Sequence, residues 1–116
     1  MSRRRSGQRG EEIAARYLQR RGYELVERNF RTRRGEIDLV MRDGETLVFV
    51  EVKFRRGAGY GDPLEAVTPR KRAKIRTLAL EYLSERRTGC DSLRFDVVGI
   101  LADSGGYSVE HIEDAF

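Results

Sequence analysis

Two short segments of β-type sequence, joined by a turn signal, constrain the fold of this chain more than any other feature. The segments are residues 35–40, Gly-Glu-Ile-Asp-Leu-Val, and residues 48–53, Val-Phe-Val-Glu-Val-Lys. Asp43-Gly44 lies between them, and Asp-Gly is the strongest short-range signal for a hairpin with a two-residue loop. The sequence therefore predicts a β-hairpin whose strands cover residues 36–42 and 46–54.

The predicted hairpin has one apolar face and one charged face, because successive side chains of a strand point to opposite sides. The apolar face carries Ile37, Leu39, Met41, Val48, Val50, Val52 and Phe54. The other face carries Glu36, Asp38, Glu51 and Lys53 among Val40, Leu47 and Phe49. Burial of the apolar face fixes which residues face the core. Since both faces hold apolar residues, the hairpin predicts an α/β architecture with helices on each side of the sheet.

The charged face predicts a metal site. With Asp43 and Gly44 as the loop, Glu36 lies opposite Glu51 and Asp38 is a diagonal neighbour, roughly 7–8 Å away. Like charges at such distances cost stability unless a cation compensates them, and Mg²⁺ prefers carboxylates, waters and phosphate oxygens. Lys53, two residues beyond Glu51, can stabilise negative charge that develops on a phosphate. The pattern predicts a metal-dependent site that acts on phosphodiesters.

A first helix is predicted over residues 10–21. Its apolar stripe consists of Ile13, Ala14, Tyr17 and Leu18, and Gly22 is the expected C-cap. Glu11 lies at the edge of this stripe, whereas Glu12 lies on the solvent side. Glu11 is thus either an acid that faces the cleft or a first-turn glutamate favoured by the helix dipole.

A second helix is predicted over residues 69–86, with Thr68 as N-cap and Pro69 in the first turn. Its buried stripe consists of Ile75, Leu78, Ala79, Tyr82 and Leu83. Lys71 lies on the same stripe. It either extends past the helix end into solvent, which we favour slightly, or reaches the acidic cluster and a bound phosphate.

Further strands are predicted over residues 23–30, 93–101 and 107–112, so that the element order is α-β-β-β-α-β-β. Residues 1–9 are expected to form a flexible basic arm and residues 10–116 a single domain. The glycine-rich residues 57–61 are either a loop over the site or a plain connector, and they lack the ending of a P-loop.

Charge and composition narrow the function classes. The net charge is +4, and residues 1–35 hold 11 arginines against 4 glutamates, which favours a nucleic-acid partner. A solvated basic surface without a specific partner is the alternative. No apolar run is long enough to span a membrane. The single cysteine, Cys90, and the single histidine, His111, exclude an internal disulfide and a usual zinc site, so a cytoplasmic protein is expected.

Three residues are left without a functional role. Cys90 and His111 have no partner pattern in the sequence, and His111 is most simply structural. Asp96, between Phe95 and Val97, is expected to be exposed or hydrogen-bonded rather than a metal ligand.

Four segments carry a resemblance to a known family. They are Gly35-Glu36-Ile37-Asp38, Phe49-Val50-Glu51-Val52-Lys53, Arg94-Phe95-Asp96-Val97-Val98 and Asp114-Ala115-Phe116. Asp38 followed by Glu51-Val52-Lys53 is similar to the D…ExK pattern of the PD-(D/E)xK nuclease superfamily. All four segments together resemble the YraN family, a bacterial family related to Holliday-junction resolvases. The resemblance implies a restriction-endonuclease-like fold with a mixed central sheet flanked by helices.

The resemblance also implies an activity. A DNA endonuclease of this type would use Asp38, Glu51 and Lys53 as catalytic residues and would require Mg²⁺ or Mn²⁺. The metal ligands would be Glu11, Asp38 and Glu51, with Glu36 as a further candidate. Backbone phosphates would be contacted by Arg33, Arg34, Arg55, Arg56 and Lys71.

The main alternative is a non-catalytic module that binds nucleic acid or another partner on the same fold. Ile37 stands where the superfamily pattern has proline, but proline is not a metal ligand. Branched DNA is the substrate suggested by analogy, and paired cuts across a junction would require a homodimer.

Overall fold

The structure is a computed structural model that describes residues 3–57 and 61–116, with the side chains described from residue 8 onward. The elements are α1 (Arg3–Arg20), β1 (Glu24–Thr32), β2 (Gly35–Asp43), β3 (Thr46–Arg56), a short 3-10 helix (Pro63–Ala66), α2 (Pro69–Arg86), β4 (Ser92–Asp103) and β5 (Gly106–Ile112). Five strands form one sheet in the order β1-β2-β3-β4-β5. The pair β3–β4 is parallel and the other three pairs are antiparallel. This is the predicted order of elements and the mixed sheet of a restriction-endonuclease-like fold.

The two helices pack on opposite faces of the sheet, as the alternating pattern of the hairpin predicted. On one face, Ala14 and Leu18 of α1 pack with Met41 and Val50. On the other face, Leu78 of α2 packs in a second cluster, whose further fully buried members include Val40, Leu47 and Phe49. Strands β2 and β3 therefore contribute residues to two separate clusters on opposite faces of the sheet.

Helix α1 begins earlier than predicted, at Arg3 rather than near residue 10. The flexibility expected of residues 1–9 stays a prediction. The helix ends as the sequence indicates, because Gly22 adopts a left-handed φ of 96° and the Tyr23 N–H donates to the Leu18 carbonyl at 3.0 Å.

Helix α2 has the predicted bounds and the predicted cap. The Thr68 hydroxyl accepts a hydrogen bond from the Lys71 N–H at 3.2 Å, and Pro69 occupies the first turn. Of the glycine-rich loop, residues 58–60 lie outside the described residues. None of the helices in the described part of the chain is long and apolar enough to cross a membrane.

The predicted register of the hairpin is wrong by two residues. Arg42 pairs with Leu47 and Asp43 pairs with Thr46, so the loop is Gly44-Glu45 rather than Asp43-Gly44. Gly44 has a φ of 61°, which suits a turn with glycine at its first central position, and Asp43 remains in the strand. A slip of two residues preserves the faces but brings Asp38, not Glu36, next to Glu51.

Strand β2 also departs from strict alternation near Asp38. Ile37 was predicted on the apolar face that packs against α1, but it packs in the α2-side cluster. Opposite Asp38, Asn29 of β1 has a left-handed φ of 53°, and the regular pairing omits these two residues. The irregular backbone at this point moves Ile37 to the other side of the sheet.

Candidate active site

The site lies where β2 and β3 stop pairing. Their regular register ends at Leu39–Val50, and beyond it the Asp38 carboxylate accepts a hydrogen bond from the Val52 N–H at 2.8 Å. A side chain thus replaces the next main-chain bond of the ladder. This contact fixes one carboxylate oxygen of Asp38 against β3, immediately beside Glu51.

Glu51 is a nearly buried carboxylate held by two lysines. Its Oε1 lies 2.8 Å from the Lys71 Nζ and 3.4 Å from the Lys53 Nζ. The exposed fraction of the Glu51 side chain is 7%, against 14% for Lys53 and 39% for Lys71. We expected the Lys71 side chain to extend into solvent, and this was wrong, because its ammonium pairs with Glu51. A buried Glu51 carboxylate without a cation would cost more free energy than the lysine loses when its ammonium leaves water.

A second acidic group adjoins Asp38 from the α1 side. Carboxylate oxygens of Glu11, Glu36 and Asp38 all lie within 4.8 Å of one another. Glu51 is not part of this group, since its carboxylate contacts the lysines. The predicted charged face is therefore divided: Glu51 and Lys53 contact Lys71 of α2, Glu36 lies with Glu11 of α1, and Asp38 joins the two halves.

Two residues of the site were missed from the sequence. Arg31 forms an ion pair with Glu36 at 3.2 Å, and Asn29 forms a hydrogen bond with Glu11. Both belong to β1, which pairs with β2 at this end of the sheet. An asparagine within a strand pattern was the one available signal, because asparagine is depleted in strands and tolerates the left-handed φ found here.

Neighbouring groups neutralise the negative charge of the acids in this site only in part. Burial, followed by the charge of Glu51, raises the pKa of Asp38 to about 8, although the Val52 N–H opposes the shift. Burial and the neighbouring Glu36 raise the pKa of Glu11. A folded protein that resists ionisation of two adjacent carboxyl groups favours either protons or another cation there.

The pKa values of the two lysines shift in opposite directions. Burial and the neighbouring Lys71 lower the pKa of Lys53, and Glu51 opposes the shift only in part. Burial acts in the same direction on Lys71, but its hydrogen bonds and charge interactions, led by the bond to Glu51, outweigh it and raise the pKa of that lysine. Lys71 is thus the firmly charged partner of Glu51.

The donor set fits a hard divalent cation. Carboxylate oxygens are the ligands that Mg²⁺ and Mn²⁺ take in proteins, and three acids within ligand distance of one another match that chemistry. Glu11, Asp38 and Glu36 could hold such an ion as they stand. Glu51 lies outside this group, and both of its lysine contacts are made through Oε1.

A cleft of about 610 Å³ opens beside Lys53. Its wall includes Arg55, Gly99, Pro63 and Glu110. Gly99 is required for this wall, since a Cβ at that position would lie 2.2 Å from the Pro63 Cγ. The cleft borders the site through Lys53, and none of the four acids lines it.

The predicted DNA-contacting arginines lie at two places on the surface. Arg33 and Arg34 form the turn between β1 and β2, where Arg34 is ion-paired with Glu81 of α2. Glu81 lies ten residues beyond Lys71, about 15 Å along the helix. Arg55 and Arg56 are exposed at the end of β3, next to Lys53 in the chain. Lys71 therefore contacts Glu51, and Arg55 lines the cleft beside Lys53. Arg56 lies over the Phe54 ring, and Arg33 and Arg34 lie in the turn that precedes Glu36.

Asp96 belongs to a different cluster. It is fully buried, so the expectation of an exposed residue was wrong and that of a hydrogen-bonded one is confirmed. Both oxygens accept from Arg94, at 2.9 and 3.0 Å, and further bonds come from His111 Nε2 at 2.7 Å and from the Asp114 N–H at 3.0 Å. Arg94 also donates to Tyr23. The sequence indicated no partner for His111. Its bond to Asp96 gives it a structural role.

Fold and site together define the class of this protein: an α/β protein of restriction-endonuclease-like architecture with a carboxylate–lysine cluster at the end of its hairpin. Comparison with known sequences gives the family. Residues 10–100 match the family model described as uncharacterised protein family UPF0102. The chain belongs to this family, which is the YraN family that the four sequence segments resemble.

Relatives in several bacteria share most of the chain. A UPF0102 protein of Rhodococcus opacus is 51% identical over 111 residues, which cover 95% of this chain and 94% of the relative. One from Syntrophomonas wolfei is 48% identical over 107 residues, covering 92% and 93%, respectively. One from Geobacter sulfurreducens is 50% identical over 111 residues, covering 95% and 87%. The names of these relatives state no activity.

Proposed function

We propose that this protein is a metal-dependent nuclease of the cytoplasm that hydrolyses phosphodiester bonds in DNA. One observation carries the proposal: Asp38 is fixed by the Val52 N–H beside Glu51, and Lys53 lies 3.4 Å from that glutamate. Two carboxylates and a lysine at this distance are the groups that a metal-dependent phosphodiesterase needs. The additional acids Glu11 and Glu36 extend the same cluster.

The acids would hold one or two Mg²⁺ or Mn²⁺ ions. Asp38 and Glu51 are the ligands that we expect in the active state, with Glu11 and Glu36 as the remaining candidates. When bound, such an ion lowers the pKa of a coordinated water and neutralises charge on the phosphate. Asp38 stays in position because its second oxygen is bonded to the backbone of β3.

Lys53 is expected to donate a hydrogen bond either to a non-bridging phosphate oxygen or to the attacking water. It is largely buried, so its interaction with a phosphate would be weakly screened by solvent. The adjoining cleft leaves room for the substrate on this side of the site. Removal of a single electrostatic donor of this kind typically costs about 10²–10³ in kcat.

The surrounding arginines would hold the sugar–phosphate backbone without reading sequence. Arg55 and Arg56 are exposed at the end of β3, which carries Lys53, and Arg33 is exposed on the turn that precedes Glu36. Arginine binds phosphate bidentately, which suits this role. A branched substrate rests on the family resemblance alone. One chain with one site would nick a single strand, so a paired cut would need a second copy.

A second candidate function has an observation in its favour. The ammonium of Lys71 already neutralises Glu51 at 2.8 Å, so part of the cluster is compensated without a metal ion. A nucleic-acid-binding module that no longer turns over would keep such an arrangement. This alternative predicts that DNA is held equally well in chelator and in metal, whereas the nuclease requires the cation.

The test is a gel of labelled single strands, duplexes, flaps and four-way junctions incubated in Mn²⁺, Mg²⁺ or chelator. The parent protein is expected to produce metal-dependent products. Glu51→Gln should abolish them while DNA affinity stays the same or rises, because a negative charge near the phosphate is removed. Lys53→Met should reduce the rate about 10²–10³-fold.

Glu45→Gln is the matched control, since it removes the same charge from the exposed loop of the same hairpin. It should cleave like the parent. Products that persist in Glu51→Gln would refute the proposed site. Shifted bands without products, equally strong in chelator, would instead identify the binding module.

A further inference from the structure

Lys71 occupies an unusual place for a phosphate-contacting residue. It comes from the first turn of α2, yet its Nζ lies closer to Glu51 than the Nζ of Lys53 does, at 2.8 against 3.4 Å. Lys53 contacts the same oxygen of Glu51, Oε1, so the two ammonium groups are close neighbours. Lys71 thus takes the place next to Glu51 that a metal ion would need.

We propose that Lys71 is an internal counter-cation that competes with the metal for Glu51, and that DNA phosphate relieves this competition by binding Lys71. The inference rests on the proposed function of the site and adds a coupling to it. Without DNA, the lysine holds Glu51 apart from the group formed by Glu11, Glu36 and Asp38. With DNA, the ammonium moves to a phosphate and Glu51 is free to complete the metal site.

The competition follows from charge and distance. A carboxylate that is 7% exposed needs a compensating cation, and either the ammonium or a divalent ion can provide it. A divalent ion at Oε1 would meet the Lys71 ammonium, which already lies 2.8 Å from that atom, and the two positive charges would repel each other in this poorly solvated site. Occupation of Glu51 by Lys71 must therefore weaken the binding of metal there.

Lys71 is more exposed than Lys53, as a transfer of its ammonium from Glu51 to a phosphate requires. The Lys71 side chain is 39% exposed and the Lys53 side chain only 14%. Lys71 is long and flexible, so its ammonium can leave Glu51 for a phosphate by rotation of side-chain bonds alone. Lys53 would remain in place beside the reacting phosphate.

A linkage between ligands follows. If DNA draws Lys71 away from Glu51, DNA raises the affinity for metal, and metal raises the affinity for DNA by the same factor. The protein would then assemble its full metal site mainly on substrate. Lys71 acts here as a positioning residue, because it affects the metal through Glu51.

The test measures Mn²⁺ affinity directly, by calorimetry on DNA-free protein. Lys71→Met is compared with the parent and with Lys74→Met, which removes an equal charge from the exposed part of the same helix. We expect Lys71→Met to bind Mn²⁺ about tenfold more tightly than the parent, a difference of about 1.4 kcal/mol, and Lys74→Met to match the parent. Thermal unfolding of all three proteins checks that the folds are equivalent.

The coupling is measured by the anisotropy of a labelled duplex with and without Ca²⁺, an oxygen-seeking ion used here to replace the reactive metal. Ca²⁺ should increase DNA affinity in the parent several-fold more than in Lys71→Met. Equal or weaker Mn²⁺ binding in Lys71→Met, or equal coupling in both proteins, would overturn this inference alone. No Mn²⁺ binding by any of the three proteins would overturn the proposed function as well.

Discussion

Two aspartates of this protein, the partly buried Asp38 and the fully buried Asp96, lie in opposite electrostatic environments. Asp96 is fully buried, but Arg94, His111 and a backbone N–H satisfy both of its oxygens. These bonds, led by that of His111, outweigh the effect of burial and lower its pKa. Asp38 has one bond, to the Val52 N–H, and acidic neighbours, and its pKa rises to about 8.

The difference separates an acid whose charge the fold compensates from one whose charge it compensates only in part. The Asp96 cluster links β4, β5 and the C-terminal residues, and it includes donors for both oxygens of the acid. The Asp38 cluster gathers negative charge that the protein itself compensates only in part. Such a deficit is the reason for proposing a metal site at the Asp38 cluster. Three predictions test this contrast, from the largest expected effect to the smallest.

Replacement of Asp96 should be the most damaging change to stability. Asp96→Asn leaves Arg94 partly buried without its bidentate partner, and loss of one member of a buried ion pair costs about 3–5 kcal/mol. Urea unfolding measures the loss. Asp91→Asn, an exposed aspartate near the start of the same strand, should change the free energy of unfolding by less than about 0.5 kcal/mol. A mild effect of Asp96→Asn would mean that the two clusters do not differ as described.

Metal should stabilise the protein through Asp38 and not through Asp96. At a concentration one hundred times its dissociation constant, Mn²⁺ should raise the free energy of unfolding by about 2.7 kcal/mol. Thermal unfolding with and without Mn²⁺ measures this increment. Asp38→Asn should lose most of it, and Asp96→Asn, though less stable, should keep it. If Asp96→Asn lost the increment and Asp38→Asn kept it, the metal would bind at the Asp96 cluster, which would contradict the account.

The pH dependence of stability should change when Asp38 is replaced. Its pKa is about 8 in the folded protein, against an ordinary value of 3.8, so the folded state holds the proton more tightly. The stability from this group is fully present below pH 4 and is lost as the pH rises through 8.

In chelator, Asp38→Asn should therefore be more stable than the parent at pH 8, by roughly 1–2 kcal/mol after solvent screening, and nearly equal at pH 4. Urea unfolding of both proteins across this pH range is the measurement. The asparagine keeps an oxygen acceptor for the Val52 N–H, so the comparison isolates the charge. A parent protein that gains stability relative to the variant between pH 4 and 8 would contradict the raised pKa.

The sequence predicted most of the fold because its signals were local. The bounds of α2 follow from Thr68 and Pro69, and the two cores follow from alternation along the hairpin. The same alternation placed Glu51 and Lys53 together, since they are two residues apart on one strand. Periodicity is a property of neighbours in the chain, and it does not depend on tertiary contacts.

The features that the sequence did not predict depend on contacts between distant segments of the chain. Asp-Gly marked the turn, but a loop moved by one residue, from 43–44 to 44–45, changes the pairing register by two. Which loop forms depends on the pairs that the sheet favours, so the predicted register was wrong. Lys71 and Glu51 are twenty residues apart, and only the packing of α2 on the sheet decides that their side chains meet. The partners of Asp96 were hidden for the same reason, because His111 and Asp114 reach it across β4 and β5.

The most direct measurement of the central claim is an anomalous-difference map from a crystal soaked in Mn²⁺, with data collected near the manganese edge. We predict a peak bounded by the carboxylates of Glu11, Asp38 and Glu36, with Glu51 as an additional ligand when DNA or Lys71→Met removes the lysine, and no peak at Asp96. A map without density at Asp38 in a protein saturated with Mn²⁺, or a peak at Asp96, would contradict the account.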